Sequence, residues 1–192
     1  MTSRRKTLAR LLGITAALAL PGVSMAAELS KEEKRAEVRK TANGALQRLY
    51  KLQPRARQHI AGAAGYAAFS NFGMKIFVAG GGTGEGIAVD QKTKQETFMK
   101  MVEVQAGLGF GVKKVSVIFV FDSHEQLRRF IDSGWEIGAQ GTAAAMAPGA
   151  GAAINGALSV APGVWIYQLT DKGLALELTA KGTKYYKNDE LN

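Results

Sequence analysis

Five of the seven residues from Gly80 to Gly86 are glycine, a density at which a backbone can wrap a phosphate. A dinucleotide fingerprint needs glycine at i, i+2 and i+5 ahead of a helix. Gly80 and Gly82 are followed at that place by Glu85, and Gly82 and Gly84 by Ile87. A Walker-type loop needs Gly-Lys-Ser/Thr, and the chain contains no Gly-Lys pair. The residues after the glycines, Ile87 to Asp90, read as strand, so no helix N-terminus is offered to an anion. The stretch reads instead as strand, bend and strand, with glycine where backbones turn sharply or approach closely. The same objection meets Gly107–Gly111, which also runs into a β pattern.

The other chemically able residues are few. Cysteine is absent, which excludes disulfides, thiolate metal sites and a cysteine nucleophile. His59 and His124 are far apart and no helical i, i+4 ligand pair occurs, so no metal or cofactor is expected. His124 sits at the cap of a short helix and reads as a surface residue; His59 follows a basic segment and reads as riding on the polar side of a helix. No Gly-x-Ser-x-Gly elbow is present. Glu85 within the glycine run and Glu103 within an apolar strand are the unusual acids, and paired carboxylates can do acid–base work. Nothing else completes a catalytic constellation, so a non-enzymatic role is expected.

Basic residues carry the stronger signal. From Lys31 to Arg57 there are nine basic and three acidic residues. Lys34, Arg35, Arg39, Lys40, Arg48 and Lys51 ring the polar side of a helical segment whose apolar stripe is Val38, Ala42, Ala45, Leu46 and Leu49. A basic amphipathic helix suits an anionic membrane surface. A helix docked on its own domain with a solvated face fits the same pattern, because the stripe lacks Trp or Phe anchors.

Ahead of this segment, Arg4, Arg5, Lys6 and Arg10 precede the apolar run Leu11–Leu20, and small residues end at Ala26. This is the three-part pattern of a signal peptide, residues 1–26, cut near Ala26. The run is too short for a good membrane span. Thr7 stands where a twin-arginine signal favours an aromatic, so general secretion is preferred, with that second route open. Removing the leader leaves 21 basic and 16 acidic residues, a balance of +5. A periplasmic or secreted location follows, with anionic lipid rather than nucleic acid as partner.

The elements that position these residues are legible in part. Ser30 and Glu33 form a capping box, and Pro54 ends the first helix or begins a second. Strands are expected at Lys75–Ala79, Gly86–Asp90, Glu96–Gln105 and Val115–Phe121. Ser123 with Gln126 starts a short helix that Gly134 ends, with Leu127, Phe130 and Ile131 facing inward. Trp165, Tyr167 and Leu169 alternate with Val164, Ile166 and Gln168 ahead of a three-residue turn, Asp171-Lys172-Gly173. Ala147–Gly163 is rich in alanine and glycine and reads as a mobile loop or a close-packed connection.

In their order, the glycine run with Gly80, Gly82, Gly84 and Gly86, the step Phe110-Gly111, the pair Gly134-Trp135 and the hairpin residues Lys172-Gly173-Leu174 resemble the SYLF domain family of lipid-binding proteins. The resemblance covers residues 59–187. It implies a mostly β domain and binding of anionic lipid, carried in several members by basic N-terminal residues. Actin binding, known for some members, is not carried over to an exported chain. Val112-Lys113-Lys114 departs from the family's usual continuation and sets two lysines beside a glycine-rich tip.

The expectation is an α+β protein. A basic helical segment, 27–58, packs on a curved, mostly antiparallel sheet or barrel with one short inserted helix, 59–187, and a tail, 188–192, follows. Anionic lipid would meet Lys34, Arg35, Arg39, Lys40, Arg48, Lys51, Lys113 and Lys114. The alternative is an envelope structural protein that self-assembles through Gly/Ala-rich surfaces.

Overall fold

The computed structural model describes residues 29–76, 79–106, 111–137, 155–175 and 182–192, and the side chains of 71–81 and 104–114 are outside that description. The leader and residues 147–154 of the Gly/Ala-rich segment therefore lie outside the described residues. The architecture is α+β: three helices and an antiparallel sheet among the described residues.

Helix α1 spans Lys31–Leu52. Ser30 Oγ accepts from the Glu33 amide at 3.3 Å while Glu33 Oε2 accepts from the Ser30 amide at 2.8 Å, closing the capping box. Its buried residues are the five of the expected stripe. Helix α2, Ala56–Gly62, follows Pro54. Helix α3, His124–Ser133, starts at Ser123, whose hydroxyl accepts from the Gln126 amide, and ends at Gly134 with φ of 73°.

Nine strands form the sheet among the described residues: β1 Gly65–Ile76, β2 Ala79–Asp90, β3 Glu96–Ala106, β4 Gly111–Phe121, β5 Trp135–Ile137, β6 Leu158–Ala161, β7 Val164–Thr170, β8 Gly173–Ala175 and β9 Thr183–Lys187. The order is β5-β9-β3-β2-β1-β4-β7-β6, with β8 on β7, and every pairing is antiparallel. Among the described residues this path is a curled, open half-barrel. Alternation along each strand sorts side chains onto two faces. One face, with Ala68, Ile87, Phe98, Ile118, Tyr167 and Leu169, packs under α1. The other, with Phe69, Met99, Phe119, Phe121 and Tyr185, packs under Leu127 and Phe130 of α3.

Three local expectations are corrected. The glycine run is not a bend: Gly80–Gly86 are paired along β2 with β1 on one side and β3 on the other. Gly86 stands opposite Phe69, and a Cβ there would lie 2.5 Å from that ring and 2.3 Å from the Ala68 carbonyl oxygen. Glycine is needed for a close cross-strand approach, with an aromatic ring covering the bare backbone. Second, β1 begins ten residues before the expected strand, because its small residues Ala67 and Ala68 sit beneath helices on both faces. Third, the hairpin turn has two residues, Asp171 and Lys172, since Gly173, φ 118°, already pairs with Thr170. Within the Gly/Ala-rich segment, Leu158–Ala161 forms strand β6 on β7. The tail 188–192 is docked, with Leu191 and Asn188 buried.

Candidate functional site

Helical spacing distributes the basic residues of α1 around its circumference, because each residue advances about 100°. Arg35 and Arg39 project from the flank that faces the β2–β3 turn. Their guanidinium carbons lie 5.5 and 5.1 Å from the centre of the Phe98 ring. Arg35 Nε donates to the Leu191 carbonyl at 2.7 Å, and Arg39 Nε pairs with Glu96 Oε2 at 2.7 Å. Glu32 receives both arginines, at 3.3 and 3.2 Å, and those hydrogen bonds, Arg39's first, hold its carboxyl below the usual range.

Arg48 projects from the opposite flank and donates to the Thr170 carbonyl. Lys40, exposed, meets Glu37 at 3.4 Å, and Lys51 is exposed. Lys34 is half-buried on the Arg48 flank. The six α1 positions therefore do not converge on one patch: three arginines help dock the helix, and Lys40 and Lys51 face outward. Lys113 and Lys114 stand in β4 opposite Gly73 and Phe72, at the far end of the strands from the β2–β3 turn; their side chains are outside the described residues.

What the fold brings together is a different set. Arg35 and Arg39 share a groove of about 510 Å³ with Lys94, Lys187, Phe98 and Asn192. Lys94, at φ 59° in the β2–β3 turn, and Lys187, at the end of β9, are exposed. Four cations thus border a groove whose single acidic lining residue among the described residues is Glu96. Sequence reasoning missed Lys94 and Lys187, since neither lies near α1 in the chain and no local pattern joins them.

A second cleft, about 550 Å³, opens on the other flank of α1. Its floor follows from strand register. The row Tyr186, Lys100, Glu85, Ser70 and Ser116 crosses five paired strands on the α1 face. This polar row borders the apolar row under α1 and marks where the covered core ends. The alternation in Glu96–Gln105, which set Lys100 on the same face as Phe98, was the available signal. Glu85 and Glu103 lie on opposite faces of the sheet, Glu103 being buried opposite Thr183, so they form no carboxylate pair.

His59 faces the domain instead of the solvent, correcting the expectation. Its Nδ1 lies 2.9 Å from Tyr167 Oη, and its ring meets Trp165 edge-on. Burial lowers its pKa, with Asp122 acting in the opposite direction, and burial pushes the Tyr167 phenol up to about 12. His124 lies 3.3 Å from Asp90 at the surface.

Residues 102–192 match the family described as Ysc84, Las17-binding protein actin regulator. Over 162 residues the chain is 31% identical to Beta cell expansion factor A of Aeromonas veronii, a span that takes in 83% of this chain. The match covers 59% of that relative's length. The matched stretch, just under half of the chain, contains β4, α3 and the strands from β5 to β9, which together with β1–β3 build the sheet. Over residues 102–192 the chain is thus similar to the Ysc84, or SYLF, family, a family of binding domains.

Proposed function

We propose that the protein is exported and, as a non-enzymatic binding protein of the periplasm or cell exterior, associates with anionic phospholipid through basic residues. The observation that supports this reading most is the groove where Arg35, Arg39, Lys94 and Lys187 meet beside Phe98. Guanidinium groups held over an aromatic ring are partly desolvated and fixed in direction, which suits a phosphate acceptor. Each basic residue near an anionic surface contributes about 1 kcal/mol, so the groove needs help from neighbouring cations. Lys92 in the same turn, and Lys40 and Lys51 on the outward side of α1, are exposed and would supply it.

Co-sedimentation with vesicles of phosphatidylcholine, with and without phosphatidylglycerol, tests the reading. Binding should require the anionic lipid. Lys94→Glu with Lys187→Glu should weaken it strongly, and Lys40→Glu with Lys51→Glu less. Binding indifferent to lipid charge would sink the proposal.

A further inference from the structure

In the cleft on the far flank of α1 carboxylates outnumber cations, Glu37 and Glu85 against Lys100, the reverse of the groove. Glu37 and Thr41 of α1 overhang it, and Ser70, Thr83, Glu85, Lys100 and Tyr186 line the sheet side, with apolar contact from Val38 and Val102. Glu85 and Lys100 are directly paired across β2 and β3, the placement at which opposite charges ordinarily join. They do not join. Lys100 Nζ lies 3.1 Å from Glu190 Oε2 instead.

Glu85 Oε1 accepts from Asn188 Nδ2 at 3.4 Å, and among the described residues its carboxylate pairs with no cation. Asn188 is 1% exposed. Its backbone amide donates to the Phe98 carbonyl at 2.9 Å, and its Oδ1 accepts from the Glu190 amide at 3.2 Å. The side-chain amide is thereby fixed with its NH₂ toward Glu85. Among the described residues Glu37 pairs only with the exposed Lys40, at 3.4 Å, a pairing that contributes little.

A basic chain thus presents one cleft with two carboxylates, several hydroxyl acceptors and an apolar wall, its one lysine, Lys100, being paired with Glu190. We infer that this cleft binds a primary ammonium group carried on a short apolar stem, with Glu85 as its main counter-charge and Glu37 closing from the helix. The volume is that of a small-ligand site. The inference does not depend on the anionic-lipid reading, since the two sites lie on opposite flanks of α1 and select opposite charges.

Titration of the ¹⁵N-labelled protein with hexylammonium chloride, against hexanol and sodium hexanoate at equal ionic strength, tests it. Hexylammonium should saturate, shifting the amides of Ser70, Thr83, Glu85 and Tyr186, while hexanol and hexanoate bind at least tenfold more weakly. Glu85→Gln should weaken hexylammonium about tenfold, Glu37→Gln by a smaller factor, and Lys94→Glu with Lys187→Glu not at all. Phosphoethanolamine competing at lower concentration than hexylammonium would assign the site to a lipid headgroup, and its exclusion would assign it to a free amine. Equal binding of hexanoate, shifts confined to other surfaces, or an unchanged Kd in both Gln variants would overturn the inference.

Discussion

Replacing Gly86 by alanine should unfold the protein at markedly lower temperature, although alanine is the better strand former by backbone entropy. The added Cβ would lie 2.3 Å from the Ala68 carbonyl oxygen and 2.5 Å from Phe69 Cδ1. Real Cβ atoms essentially never come within 3.0 Å of such neighbours, so β1 and β2 must part by about 0.7 Å, an overpacking strain. Phe69 cannot yield, because its ring is held edge-on by Tyr185 at 4.8 Å and by Phe119 and Phe130, each at 6.1 Å. The carbonyl cannot yield without breaking the ladder. Overpacking of this kind costs about 2–3 kcal/mol, which in a domain of this size lowers Tm by roughly 5–10 °C. Gly44→Ala provides the opposite sign. Gly44 is an exposed helical glycine with nothing within 4 Å of its added Cβ, so stability should rise by about 0.5–1 kcal/mol. Thermal unfolding followed by near-ultraviolet circular dichroism measures both. A Gly86→Ala protein melting within about 2 °C of the parent would refute the close-approach account of the glycine run.

Tyr185→Phe should stabilise the fold by about 1 kcal/mol in urea titration, because the Tyr185 hydroxyl is buried with no hydrogen-bond partner among the described residues and desolvating it is uncompensated; destabilisation would reveal a partner. Thr183→Val, at the neighbouring unpartnered hydroxyl, should follow the same sign. The lowered pKa of His59 means that the unfolded chain binds a proton there first as pH falls through about 6.5. Stability should therefore drop between about pH 7 and 5, and His59→Gln should flatten that drop in urea unfolding at each pH. Parallel curves for the two proteins would exclude His59 as the cause.

Local patterns were legible where one element decides them. The α1 stripe, the Ser30–Glu33 box and the Ser123 cap depend on neighbours three or four residues away, and the structure shows each one. The alternation of Trp165, Tyr167 and Leu169 also placed β7 correctly, with both its faces buried. Other features depended on partners distant in sequence. Ala67 and Ala68 are small because helices cover both sides of β1, a condition no single segment displays. Gly80–Gly86 looked like a bend because glycine is poor in strands, and only the register with Phe69 shows why a strand uses it at Gly86. The basic groove was half legible. Arg35 and Arg39 stood out in a charged helix, but Lys94 and Lys187 join them only because the tail docks against α1 and Phe98. Glu85 and Glu103 looked like candidate partners until strand parity set them on opposite faces.

The most direct test of anionic-lipid association is vesicle co-sedimentation across a salt series with the parent protein and the variant carrying Lys94→Glu and Lys187→Glu. The account predicts binding to phosphatidylglycerol vesicles that falls steeply as salt rises, and a variant that is bound poorly at every salt concentration while its thermal unfolding is unchanged. Equal sedimentation of both proteins with anionic and neutral vesicles, insensitive to salt, would contradict it.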